Sequence, residues 1–226
     1  MMAGELDGPR LEARGGQAKR LVVFLHGYGA DGNDLIEIGR AWQVFLPHAA
    51  FASPHAPRPC GQAPMGREWF PLTFRDPDER WDGVNAAAPV FEQFLDAELA
   101  RHQLAPSALA LVGFSQGTMM ALHVGLRRPE PVAAVMSFAG ALLAPERLAG
   151  EARSRPPVLL VHGEADDLIP VQALLHATQG LAALEVPVEW HLSAGIGHGI
   201  DDEGLRHGGD FLARRFRAAR APRMTA

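Results

Sequence analysis

A serine framed by glycines at two-residue spacing, Gly113-Phe114-Ser115-Gln116-Gly117, lies between the apolar run ALALVG and the helix-like stretch TMMALHVGLRR. A strand that turns into a helix at one exposed residue forces that residue into a backbone conformation L-amino acids avoid. The positions two residues to either side must then lack a Cβ to leave room. The turn also sets Ser115 at a helix N-terminus, where the dipole favours developing negative charge. The same residues would otherwise read as a tight turn with an unreactive serine.

A serine hydroxyl is a weak nucleophile until a base takes its proton and an acid orients the base. Both residue types follow, in the order Ser, Asp, His. The run PVLLVH leads into Gly163-Glu164-Ala165-Asp166-Asp167-Leu168-Ile169-Pro170, an acidic turn with two adjacent carboxylates. The run PVEWHL leads into Gly195-Ile196-Gly197-His198-Gly199, where flexible glycines let His198 reach across. His191 and His207 are poorer bases, because the first falls in a strand-like run and the second in a helix-like one.

Other chemistries fit less well. Gly27-Tyr28-Gly29-Ala30-Asp31-Gly32 matches GxGxxG, but a dinucleotide site needs an acid about 20 residues further on to hold the ribose. That region reads Phe51-Ala52-Ser53-Pro54-His55, and Asp31 and Asp34 would set negative charge against a pyrophosphate. No cofactor is expected. With no HExxH, a single cysteine and ten scattered histidines, no metal is expected either. Asp31-Gly32-Asn33-Asp34 reads as a helix cap rather than a calcium loop. Met119 and Met120, on the helix after Ser115, serve equally well as core filling or as pocket lining. Arg214, Arg215, Arg217, Arg220 and Arg223 read as a solvated helix end.

The elements that would position these residues alternate. Strand-like runs cover 20–25, 48–53, 108–113, 132–138, 157–162 and 187–192, several of them apolar at every position and so buried on both faces. Helix-like stretches lie near 34–46, 84–103, 117–128, 171–184 and 203–220. This order predicts an α/β fold with a mostly parallel sheet covered on both sides and ligands beyond the carboxyl ends of its strands. Residues 54–82 break the rhythm with Pro54, Pro57, Pro59, Pro64, Pro71 and Pro77. Because they also carry Trp69, Phe70, Phe74 and Trp81, they read as a packed loop bordering a pocket.

At 226 residues, 47% hydrophobic and 21% charged, the composition is that of a soluble globular protein. It predicts one domain over 1–226, with about the first 17 residues flexible. Cys60 stands alone, and the opening MMAGELDGPRLEARGG carries charges where a signal peptide needs an apolar stretch, so the expected setting is cytoplasmic. No apolar run approaches the roughly 20 residues of a membrane span. A formal charge of −5 argues against a nucleic-acid partner.

Four blocks in order, Leu25-His26-Gly27-Tyr28-Gly29-Ala30-Asp31, Gly113-Phe114-Ser115-Gln116-Gly117, His162 through Pro170 and Gly195-Ile196-Gly197-His198, resemble the α/β-hydrolase superfamily. More closely, they resemble its phospholipase/carboxylesterase family, which includes acyl-protein thioesterases. The resemblance implies the α/β-hydrolase fold and a serine carboxylesterase acting on small carboxylic esters or thioesters; a monomer or homodimer is expected. It implies Ser115 as nucleophile, His198 as base and Asp166, the fifth residue of HG-x-x-D, as acid. The adjacent Asp167 departs from the family pattern. The backbone N–H groups of Gln116 and, from the resemblance, Tyr28 would form the oxyanion hole. From the aromatic-bearing loop and the segment after a strand end, Trp69, Phe70 and Leu142 are expected to line the substrate pocket. A catalytically silent protein of the same fold, binding a ligand or partner, is the alternative; the intact Ser, Asp and His set argues against it.

Overall fold

In β2, Arg20–Leu25, the side chains alternate between two cores even though nearly every residue is apolar: Leu21, Val23 and Leu25 enter one, Val22 and Phe24 the other. β6, Leu109–Phe114, repeats the pattern, with Leu109 and Leu111 on the first side and Ala110 and Val112 on the second. A strand apolar at every position is what a sheet covered on both faces requires. The computed structural model describes residues 6–73, 76 and 78–218. Phe74, Pro77, Arg220 and Arg223 lie outside the described residues.

The remaining strands are β1 Arg10–Leu11, β3 Ala49–Ala52, β4 Arg58–Pro59, β5 Arg67–Glu68, β7 Ala134–Phe138, β8 Val158–Gly163 and β9 Val188–Ser193. The helices are α1 Gly32–Trp42, α2 Glu79–His102, α3 Gln116–Arg127, α4 Leu148–Glu151, α5 Gln172–Ala182 and α6 Asp202–Ala218. Seven strands form one sheet in the order β1-β3-β2-β6-β7-β8-β9, parallel throughout except for the antiparallel β1–β3 pair. Side chains of α2, α3 and α5 fill the core on one face, and those of α1 and α6 fill the core on the other. Each fully buried Leu or Phe in these layers stabilises the fold by roughly 1.5–3 kcal/mol.

Three features differ from the sequence expectation. Among residues 6–17, which were expected to be flexible, Leu6 is buried, Arg10–Leu11 pair with Phe51 and Ala52, and the Glu12 carbonyl accepts from the Gln43 side chain. These contacts tie the segment to the sheet edge. The stretch 54–82 is not wholly loop: β4 and β5 form a small antiparallel hairpin within it, and α2 starts at Glu79 rather than near 84. Gly83 and Pro89 blur the helical pattern of α2 in sequence. Its first turn is held by packing, with the Trp81 ring under the guanidinium groups of Arg127 and Arg147 and edge-on to His123. Among the described residues, no helix is long and apolar enough to cross a membrane.

Candidate active site

Ser115 occupies the turn between β6 and α3 with φ 52° and ψ −115°, a strained conformation for any residue bearing a Cβ. Close packing holds it there. A Cβ on Gly117 would come within 2.0 Å of the Leu25 carbonyl oxygen, and one on Gly113 within 2.4 Å of the Gly117 carbonyl oxygen. The Ser115 amide donates to the Phe138 carbonyl at the end of the neighbouring strand β7. The nucleophile candidate is thus aimed outward at the carboxyl edge of the central strand.

The base and acid candidates arrive from two other strand ends. His198, in the loop between β9 and α6, has Nε2 3.0 Å from Ser115 Oγ and Nδ1 2.8 Å from Asp166 Oδ2. With the proton on Nδ1, the imidazole donates to Asp166 and accepts the serine hydroxyl. The Asp166 side chain is wholly buried, and its Oδ1 accepts the amides of Leu168 and Ile169 at 3.0 and 2.8 Å. Burial alone would raise the Asp166 carboxyl, but those amides and the His198 imidazole hold it below its ordinary value. The carboxylate is therefore charged at neutral pH. Asp167 is exposed. Between the two adjacent acids that the residues alone leave open, the geometry brings Asp166 to His198.

His162, quoted only as part of a motif in the sequence, is the next-to-last residue of β8, beside this turn. Its buried Nε2 donates to the Ile169 carbonyl at 2.8 Å and lies 3.4 Å from Asp166 Oδ2. It braces the Asp166 turn.

Two backbone N–H groups are the oxyanion-hole candidates. Gln116 is the first residue of α3 and Tyr28 follows Gly27 in the loop after β2, and among the described residues no backbone acceptor engages either amide. The loop carrying Tyr28 is anchored at several points. Gly29 N donates to the Arg67 carbonyl and Arg67 N to the Ala30 carbonyl, at 2.9 and 2.7 Å. His26 is fully buried and accepts the Ala56 amide at Nε2. Burial pushes its imidazole down to about 4, so the ring is neutral.

Trp69 and Phe70, expected to line the substrate pocket, also make buried contacts with the segments around them. Both are 1% exposed. The Trp69 indole N–H donates to the His26 carbonyl at 3.0 Å. The Gln116 side chain accepts from Trp69 N at 2.9 Å and donates to the Phe70 carbonyl at 2.7 Å. Buried backbone groups need such partners, and these contacts tie the segment after β5 to the end of β2 and to α3. The cavity they border, about 310 Å³ with Pro57, Gly83 and Val90, contains neither Ser115 nor His198 in its lining. Leu142 is half-buried and packs toward Gly180 of α5. A second hollow, of about 360 Å³ beside the Tyr28 loop, is lined by Tyr28, Gly61, Gln62, Glu68, Pro71, Leu72 and Thr73, and it too has neither Ser115 nor His198 in its lining. Burial, Cys60 and Glu68 raise the Tyr28 phenol well above its ordinary value, so it stays protonated there.

The family model described as Phospholipase/Carboxylesterase matches residues 6–215. Esterase YpfH of Escherichia coli K12 is 28% identical over 195 residues, covering 86% of this chain and 82% of that protein. Acyl-protein thioesterase 1 of Schizosaccharomyces pombe is 33% identical over 159 residues, 66% of this chain and 69% of that one. Among solved structures, esterase PE8 aligns with a TM-score of 0.91 at 46% identity, over 93% of this chain and 99% of that one. A carboxylesterase of Bacillus cereus shares the fold with a TM-score of 0.76 at 13% identity, over 93% of this chain and 95% of its own.

Proposed function

The chain belongs to the phospholipase/carboxylesterase family, and from that premise we propose that it hydrolyses small carboxylic esters and thioesters through an acyl-enzyme on Ser115. The observation that carries this reading is the continuous path from Ser115 Oγ through His198 to the buried Asp166, with contacts of 3.0 and 2.8 Å.

Each step uses a group already in place. His198 Nε2 takes the Ser115 proton as Oγ attacks the acyl carbon, while Asp166 keeps the other proton on Nδ1 and stabilises the imidazolium that forms. The negative oxygen of the tetrahedral intermediate is held by the N–H groups of Tyr28 and Gln116, each lowering the barrier by about 3–4 kcal/mol. As the intermediate collapses, His198 returns its proton to the departing alcohol or thiol, leaving the acyl group on Ser115. Water then enters, gives a proton to His198 and attacks the same carbonyl. Collapse releases the acid and restores the serine. The cycle balances without an external redox partner or cofactor.

The hollow beside the Tyr28 loop, whose lining mixes apolar Pro71 and Leu72 with polar Gln62 and Thr73, supports compact substrates with some polar character. The enzyme would work in the cytoplasm as a monomer or homodimer. A panel of nitrophenyl esters from acetate to palmitate, run beside Ser115→Ala, tests the assignment, together with labelling by a serine-directed phosphonate. Turnover and labelling lost together in the folded variant are expected. Labelling that survives in Ser115→Ala would move the nucleophile elsewhere.

A further inference from the structure

Outside the Ser115 site, β9 and α6 bring three side chains of metal-binding type into one cluster. His191 lies in β9, while Glu203 and His207 are one turn apart on α6. The two imidazoles stack with ring centroids 4.2 Å apart and planes 29° apart. Glu203 Oε1 is 3.7 Å from His207 Nε2, and one ligand atom from each residue falls within 4.8 Å of the other two. His191 Nε2 is buried with no hydrogen-bond partner among the described residues. A buried imidazole nitrogen left in this way calls for an acceptor, a donor or a cation.

We propose that His191, Glu203 and His207 form a three-ligand zinc site that ties β9 to α6. Two imidazoles and one carboxylate suit zinc and exclude calcium and magnesium, which take oxygen ligands. At zinc–ligand lengths near 2.1 Å, tetrahedral neighbours stand about 3.4 Å apart. The cluster therefore has to contract by about 1.5 Å at most, a movement open to Glu203 and His207, whose side chains are 56% and 40% exposed. Water would fill the fourth position. The frame around the site is already braced: Asp201 Oδ1 accepts the Ser193 hydroxyl at 2.8 Å and the Gly204 amide at 2.9 Å, joining the end of β9 to the first turn of α6. The loop carrying His198 leaves one of these elements and enters the other, so bound zinc closes a clasp across its base.

The site escapes sequence inspection because its ligands have no motif spacing. Only the packing of α6 on β9 makes them neighbours.

The test uses untagged, chelator-stripped protein titrated with zinc alone against a colorimetric zinc indicator, with thermal unfolding followed in parallel. One zinc per chain and a rise in Tm are expected, because a ligand that binds only the folded state stabilises it by mass action. His207→Gln alters a half-exposed side chain. It should weaken binding by at least about tenfold, remove the Tm rise, and leave metal-free ester hydrolysis unchanged. His191→Gln should match it, and Glu203→Gln should fall between. Absence of saturable binding up to about 100 µM zinc in the wild-type protein would overturn the site. So would wild-type affinity in His207→Gln, since zinc would then be held elsewhere.

Discussion

The indole N–H of Trp69 donates to the carbonyl oxygen of His26 at 3.0 Å, so a residue of the proline-rich segment holds the strand end from which the Tyr28 turn departs. Trp69→Phe keeps most of the ring and removes that donor. The buried carbonyl left behind should cost about 1–3 kcal/mol, read as a lower urea midpoint. kcat should fall with little change in the ranking of acyl chain lengths. A changed ranking with unaltered stability would restore Trp69 to the pocket wall.

Ser115→Ala and His198→Ala should each lower ester turnover by at least about 10³ with the fold intact, because members of one catalytic unit fail together. Asp166→Asn should cost far more than Asp167→Asn, since only the first carboxylate touches His198. Steady-state kinetics on a nitrophenyl ester, with circular dichroism as the folding control, decides it. The opposite ranking of the two aspartates would refute the assignment.

Tyr28 separates backbone from side-chain chemistry. Tyr28→Phe keeps the amide and should change kcat by less than about threefold. Tyr28→Pro deletes the donor and should lower kcat by roughly 10² or more. A hundredfold loss in a folded Tyr28→Phe protein would transfer the role to the phenol.

Acid should destabilise the fold before the carboxylates titrate. Burial holds His26 and His123 near 4, against 6.5 for an ordinary imidazole. Between those values the unfolded chain binds protons that the native state refuses. Stability is therefore full above about pH 6.5 and falls as the pH drops toward 4. Each histidine withdraws on the order of 2 kcal/mol between pH 7 and pH 5. His123→Gln should shrink the difference between urea midpoints at these two pH values. An undiminished difference would show that His123 is solvated enough to protonate in place.

Much of this was legible in the residues themselves. The six long sheet strands were readable as apolar runs, and the glycines around Ser115 announced the turn that their packing distances now explain. What stayed hidden depends on contacts between distant segments. Trp69 looked like a pocket aromatic because aromatics in a long loop commonly are, and nothing local reveals that its N–H groups meet His26 and Gln116. The Gln116 side chain, the brace from His162 and the pairing of His191 with His207 are equally tertiary. The hairpin of β4 and β5 was invisible because each strand has two residues, too few to show a period. Residues 6–17 looked flexible because their one buried leucine and their two-residue strand gain meaning only against β3.

The sheet order places Ser115 at the end of the fourth of seven strands, whereas Asp166 and His198 follow β8 and β9, the last strands in the chain and the outermost on that side. Folding that starts from the central parallel pairs therefore yields a compact but chemically inert species. Its Ser115 turn is already formed while the proposed proton acceptor, His198, is still missing. Hydrolytic competence arrives only when the final strand docks and the glycine-rich segment behind it settles. In a refolding experiment, the return of enzyme activity would accordingly mark closure of the sheet's far edge rather than collapse of its centre.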